Sequence, residues 1–281
     1  MVVLWHFNQH YLQTLTMSQR AILQFFILAV LFAGAYFGLS RINWISVFKI
    51  KETTRSTEQK LGEVYWDLFK NTEQEIIKPS IKNKLDSLVN FVCKQNKIER
   101  TKIKLHLLQK DEINAFTLPD NYLVVNSGLI TSSESEAELL GVLCHELAHI
   151  EKNHVMKKLV KEAGLSLLIS ITTGNAGGQV ITETAKVLSS TAYDRELERE
   201  ADMTSVDFLL KAGIDPEPFA NFLYRLSESE KNLPKQAFWI STHPDSKERA
   251  ESIIAYIKGK KIQKKTILSA TSWAKLKADL E

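Results

Sequence analysis

The chain runs to 281 residues, 44% hydrophobic and 25% charged, with 36 Lys and Arg set against 33 Asp and Glu for a formal net charge of +3. That is ample apolar content for a packed core, in one large domain or two small ones, and a balance too neutral to mark the basic stripe that nucleic-acid binding needs. Cys93 and Cys144 are too few for a disulfide framework and, forming no CxxC pair, exclude a cysteine-ligated zinc site.

The first element in chain order is AILQFFILAVLFAGAYFGL, residues 21–39, which carries no charge and has Gln24 as its polar interruption. As a helix it would span roughly 28 Å, close to a bilayer core. Arg20 and Arg41 flank it, and Tyr36 and Trp44 stand where interfacial aromatics belong. A transmembrane anchor over 21–40 is therefore expected, after a terminal segment 1–20. The competing readings are a cleavable signal peptide, starting at Met17 and cut near Ala33-Gly34-Ala35, and a buried helix. Lys and Arg are denser after the span, which taken literally puts the C-terminal part in the cytoplasm, but long domains translocate largely regardless of charge.

Residues 60–69 and 80–95 carry apolar residues at helical spacing, with Pro79 marking the break. Ile81, Leu85, Leu88, Val89 and Val92 share one face. The period then shortens. KIKLHLL (102–108), EINAFTL (112–118) and NYLVVN (121–126), with a turn signal at Pro119-Asp120-Asn121, predict a three-stranded sheet whose last strand is 121–126. His106 lacks a partner at ligand spacing and is read as structural. From Ser132 the helical period returns, with Ser133 as N-cap and Glu136 three residues on as a capping box. Residues 164–180 read as the end of a buried helix and then a glycine-rich loop. A long helix follows from about Ile181 to Ala212, ended by Gly213 and Pro216, and helices occupy the remainder apart from a loop at 241–246.

Within the returning helix stands CHELAHIEKNH, residues 144–154. His145-Glu146-Leu147-Ala148-His149 is HExxH: two imidazoles one turn apart on one face can reach a single ion, and Glu146 beside them can take a proton from an activated water. Leu139, Leu140, Leu143, Leu147 and Ile150 would bury the helix. His154, about 140° round a continuous helix from His149, is expected at the surface and off the metal. A catalytic zinc site needs a third protein ligand. The extended HExxHxxGxxH form is absent, because Lys152 and Val155 stand at its glycine and third histidine. Residues 194–202, DRELEREAD, offer Glu198 and Asp202 one turn apart. Surface pairing with Arg195 and Arg199 is the competing use, and the incomplete HExxH site favours the ligand reading. Glu196 and Glu200, about 200° from Glu198, are expected toward solvent.

HELAH, followed 49 residues after its second histidine by Glu198 within ELEREAD and then by STHPDSKER at 241–249, resembles one membrane-associated HExxH zinc metallopeptidase family. That family includes the CAAX prenyl proteases, HtpX, the Oma proteases and the periplasmic protease BepA. NAFTLPDNYLVVNSGLI, residues 114–130, is similar to its NAF-x-LP-strand-GL signature, so the resemblance spans 114–249 with four motifs in order. It implies an α+β, zincin-like fold with a small antiparallel or mixed sheet packed on the HExxH helix. It implies one Zn2+ per chain on His145, His149 and Glu198, with Glu146 as general base and Asp202 orienting a ligand imidazole. His243 would stabilise the tetrahedral intermediate and Arg249 would support it. An extended substrate would bind at Asn114 and by β-addition along an edge formed by Tyr122, Leu123, Val124 and Val125. Two departures stand out: Asp194 replaces the usual Ser, and Asp120-Asn121 replaces Gly-Gly. Asn tolerates left-handed turns, so the hairpin should survive.

The expectation is a single-pass membrane-anchored zinc endopeptidase with an extracytoplasmic catalytic domain, acting on unfolded, membrane or envelope proteins in quality control, with no nucleic-acid partner. Its organisation would be the segment 1–20, the anchor 21–40, a helical linker or pro-region 41–100, the metallopeptidase domain 101–260 and a helical tail 261–281. An aminopeptidase would need a GxMEN-like acidic motif ahead of HExxH, which is missing. The rival from another class is a non-catalytic zinc-stabilised chaperone or adaptor, but a purely structural site has no use for Glu146.

Overall fold

The computed structural model describes residues 22, 24–32, 34, 50–190, 193–229, 239 and 242–280, and the chain divides into two compact units, Met1–Arg55 and Ser56–Glu281. In the first unit, residues 24–32 are helical and exposed. No helix among the described residues is long and apolar enough to cross a membrane, and much of the expected anchor at 21–39 lies outside the described residues.

Two helices, α1 (Ile50–Thr72) and α2 (Pro79–Asn96), precede the sheet. Pro79 opens α2, where a missing N–H is tolerated and a fixed φ helps. The buried stripe of α2 includes Ile81, Leu85, Leu88, Val89 and Val92, the face its spacing predicts. Strands β1 (Lys104–Leu108), β2 (Ala115–Leu118) and β3 (Tyr122–Asn126) form one mixed sheet in the order β1-β3-β2. β1 runs parallel to β3 with Lys104 opposite Tyr122, and β2 runs antiparallel with Leu118 opposite Tyr122. At the turn between β2 and β3, Asp120 and Asn121 both take φ 60°, the left-handed conformation that Asp and Asn tolerate.

This order corrects one expectation. β3 is the central strand, bonded on both sides, so Tyr122, Leu123, Val124 and Val125 offer no free edge. The outer edge of β1 is met by the segment before α2, where Ile76 N–H donates to Leu107 O at 2.7 Å and Gln109 N–H to Gln74 O at 2.8 Å. Among the described residues, the edge of β2 has no strand beyond it.

The sheet is a layer between two cores, and strand alternation distributes its side chains. Leu105, Leu107, Ala115, Leu123 and Val125 face the larger core, whereas Phe116, Leu118, Tyr122 and Val124 face the smaller one. The later helices are α3 (Ser127–Ser132), α4 (Glu136–Glu151), α5 (His154–Ala163), α6 (Leu165–Thr172), α7 (Gly178–Ser190), α8 (Arg195–Ala212), α9 (Glu217–Ser229), α10 (Ser246–Ile257) and α11 (Ala270–Ala278). α2, α4, α8, α9, α10 and α11 build the larger core, and α1, α5, α6 and α7 close the smaller one. The helix expected from 181 to 212 is in fact two, α7 and α8, with Tyr193 and Asp194 outside both. His106 is structural as expected: its Nδ1 lies 2.7 Å from Glu75 Oε1 and its ring packs on Trp66 at 3.7 Å.

Candidate metal centre

The HExxH helix is α4, buried over most of its surface and packed on α8, α9, β2 and α2. Its N-cap is Ser135, not Ser133. The Ser135 hydroxyl accepts from Glu138 N–H at 3.2 Å, and Glu138 Oε2 accepts from Glu134 N–H at 2.8 Å. Glu138 is also gripped by both terminal nitrogens of Arg225, at 2.9 and 2.7 Å. Gly141 is required by its neighbour, because a Cβ there would fall 2.3 Å from Cβ of Phe219 on α9.

His145 and His149 bring their Nε2 atoms to 2.9 Å of each other. From α8, Glu198 reaches His149 Nε2 at 3.3 Å and His145 Nε2 at 3.6 Å. His243 adds Nδ1 at 2.9 Å from Glu198 Oε1 and 3.3 Å from His145 Nε2. The four donors are buried and lie within 4.8 Å of one another, a set that could hold a metal ion. Donor chemistry fits that use. His145 Nδ1 is 2.9 Å from the Asp202 carboxylate and so carries its proton there, leaving a bare Nε2 lone pair aimed at a second imidazole and a carboxylate. Such a convergence of electron-rich atoms calls for a cation.

Glu146 lies one position away from His145 on α4, with Oε1 3.4 Å from both His243 Nε2 and the Trp239 indole N–H. Its Oε2 is buried without a hydrogen-bond partner among the described residues. Burial pushes the Glu146 carboxyl upward, but the imidazoles of His243, His149 and His145 together outweigh it and hold the group below its ordinary range. The same pairing acts in reverse on His243: burial lowers it, and the Glu198 and Glu146 carboxylates raise it overall. Burial takes His149 down to about 4, which keeps its imidazole neutral.

Asp202 and Arg249 form the frame behind these groups. Arg249 Nε and Nη2 donate to the two Asp202 oxygens at 2.8 and 2.7 Å, and Nη1 pairs with Glu198 Oε2 at 2.8 Å. Nη1 also donates to the carbonyl of His243 at 3.2 Å, so one guanidinium ties α8, α10 and the His243 loop together. Glu196 is exposed. Asp194 is held by Lys161 Nζ at 2.6 Å, in a pair whose side chains are both more than half exposed.

Three residues have contacts that the sequence reading missed. Tyr193 stacks on His149 at 4.2 Å, with Lys158 Nζ 4.1 Å from its ring; no spacing rule singles out an aromatic between two helices. Trp239 stacks on His243 at 4.6 Å, and its carbonyl accepts from His243 N–H at 2.8 Å; the four-residue offset was the available signal. His154 corrects an expectation outright. It is fully buried, with Nδ1 3.0 Å from His149 Nδ1 and Nε2 3.2 Å from Glu200 Oε2.

Comparison with known proteins matches residues 79–257 to peptidase family M48. Those limits coincide with the start of α2 and the end of α10. The chain is 28% identical over 219 residues to the putative beta-barrel assembly-enhancing protease of Vibrio cholerae, covering 70% of this chain and 45% of that protein. It is 26% identical over 203 residues to the beta-barrel assembly-enhancing protease of Escherichia coli K12, covering 66% and 41%. It is 28% identical over 250 residues to the mitochondrial metalloendopeptidase OMA1 of Bos taurus, covering 82% and 47%. The matched stretch is thus less than half the length of each of these relatives.

Proposed function

Because the chain belongs to peptidase family M48, we propose that it is a zinc-dependent endopeptidase that hydrolyses peptide bonds in protein substrates. The observation that carries this reading is the convergence of His145, His149 and Glu198 beside a buried carboxylate, Glu146, one of whose oxygens has no hydrogen-bond partner among the described residues. In this reading His145, His149 and Glu198 hold Zn2+, one per chain. Zinc in such a site supplies Lewis acidity and makes water a nucleophile near neutral pH. Glu146 takes the proton of the attacking water at its unpartnered Oε2 and later returns it to the leaving amine. His243, flanked by two carboxylates that favour its protonated form, donates to the oxyanion developing on the peptide carbonyl. Asp202 fixes His145, and Arg249 fixes Asp202 and the His243 loop.

A catalytic zinc keeps one position open, yet four donors converge here and each is nearly solvent-free. Three sit on helices; His243 sits on a loop. His243, whose protonated form the Glu198 and Glu146 carboxylates favour, is therefore left out of the proposed ligand set and kept for the oxyanion. The substrate strand would lie along β2, antiparallel or parallel to residues 115–118, with Asn114 at its end; among the described residues this is the edge that the sheet order leaves unpaired. Asn114 Oδ1 is buried without a partner among the described residues, which supports a binding role.

We further propose anchoring through residues 21–39, an extracytoplasmic catalytic domain, and substrates among unfolded, membrane or envelope proteins. The relatives' names, a protease enhancing beta-barrel assembly and a mitochondrial metalloendopeptidase, support that direction. Full burial of the centre is the observation that favours a non-catalytic chaperone instead. Casein digestion separates the two. The peptidase reading expects cleavage that a chelator abolishes and zinc restores, and Glu146→Gln should bind zinc yet lose roughly 10²–10⁴-fold in rate. Zinc-loaded wild type that leaves casein and unfolded membrane proteins intact would defeat it.

A further inference from the structure

We propose that His154 and Glu200 form a relay that fixes the tautomer and aim of His149; this rests on the reading of His149 as a metal ligand. On a continuous helix His154 would point away from His149. The helix is not continuous. α4 ends at Glu151, Asn153 takes the left-handed conformation at φ 55°, and His154 opens α5. That reversal folds the His154 ring back over His149, with ring centroids 5.0 Å apart at 73°. Asn is among the few residues that adopt φ > 0 at little cost.

The relay follows from which atoms can donate. Glu200 Oε2, 3.2 Å from His154 Nε2, can only accept, so the proton of a neutral His154 sits on Nε2. Its Nδ1 is then a bare acceptor, 3.0 Å from His149 Nδ1, so the His149 proton sits on Nδ1. His149 Nε2 is left as a lone pair facing His145 and Glu198, as a ligand must be. Glu200 is held in turn by Lys152 Nζ at 3.0 Å on its other oxygen. The two ligand histidines are thus oriented differently. His145 meets the buried carboxylate of Asp202 directly, whereas His149 reaches a carboxylate through a second imidazole. That second carboxylate has a side chain 41% exposed, so the relay can be altered from the surface.

The test is a zinc titration of the purified full chain against a chromophoric chelator, with wild type, His149→Ala, His154→Phe, His154→Gln, Glu200→Ala and Glu196→Ala. Loss of an outer partner of a ligating histidine typically costs 10–100-fold in metal affinity. His154→Phe should fall in that range. His154→Gln, whose amide can accept from His149 and donate to Glu200, should recover most of the loss. Glu200→Ala should weaken zinc measurably and Glu196→Ala should not. Histidine ¹⁵N spectra of the metal-free protein should place the His149 proton on Nδ1 in wild type and lose that preference in His154→Phe. A role in packing alone would lower the melting temperature of His154→Phe without moving zinc affinity or the tautomer, and would overturn the proposal. If His154→Phe does not fold, Glu200→Ala decides: affinity equal to wild type sinks the relay. Wild type that binds no zinc overturns the metal reading and the relay together, whereas loss of binding in His149→Ala but not in the His154 and Glu200 variants overturns the relay alone.

Discussion

Arg249 carries the largest share of the polar frame among single residues. It is nearly buried, and it faces Asp202 with two donors and Glu198 with a third. Burial disfavours its charge, but the two carboxylates outweigh that and raise its pKa further above an already high value. Removing one partner of a buried ion pair typically costs about 3–5 kcal/mol, because the remaining charges stay buried and unpaired. Arg249→Met should therefore lower the urea midpoint by an amount equivalent to about 3–5 kcal/mol. Arg249→Lys should recover only part, since an ammonium cannot reproduce the two-point contact with Asp202. Equal stability of Arg249→Met and wild type would show that the frame is dispensable for folding.

At the scale of elements, α4 illustrates both what the sequence discloses and what it withholds. Its HExxH spacing and apolar content are local properties, and they place His145, Glu146 and His149 without any tertiary knowledge. Its start is not local. Residues 133–138, SESEAE, contain two overlapping capping boxes, Ser133 with Glu136 and Ser135 with Glu138. The choice is made from elsewhere: Glu136 accepts the backbone N–H groups of Ile267 and Leu268, both at 2.7 Å, and Ser133 bonds back to Leu129 O at 2.7 Å. The break at Asn153 lacks a Gly or Pro to announce it, which is why His154 could not be placed. Strand order is equally silent in the period of β3, because alternation fixes faces and not neighbours. Gly141 gives a test at this scale. An alanine would gain up to about 1 kcal/mol in helix propensity, but its Cβ would meet Phe219 Cβ at 2.3 Å, an overlap between two backbone-anchored atoms that no rotamer relieves. Overpacking of this kind costs about 1–3 kcal/mol. Gly141→Ala should accordingly melt lower than wild type; a higher melting point would mean that α4 and α9 separate freely.

Across the whole second unit, the candidate ligands come from three stretches far apart in sequence: α4, α8 and the loop ahead of α10. The folded chain brings them within 4.8 Å of one another, and it is the folded chain that can present them together to one ion. A ligand that binds the native state and not the unfolded chain stabilises by RT ln(1 + [L]/Kd), about 4.1 kcal/mol at a thousandfold excess over Kd. For a unit of this size each kcal/mol moves the melting midpoint by about 2–4 °C. Saturating zinc should thus raise the midpoint of the wild type by roughly 8–16 °C over chelated protein. The shift should vanish in His149→Ala and persist in Glu146→Gln, which alters the proposed base and spares the ligands. A midpoint that does not respond to chelation, or a shift that survives His149→Ala, would mean that these helices close on each other without an ion between them. The 2.9 Å approach of two bare imidazole nitrogens makes that the less stable arrangement.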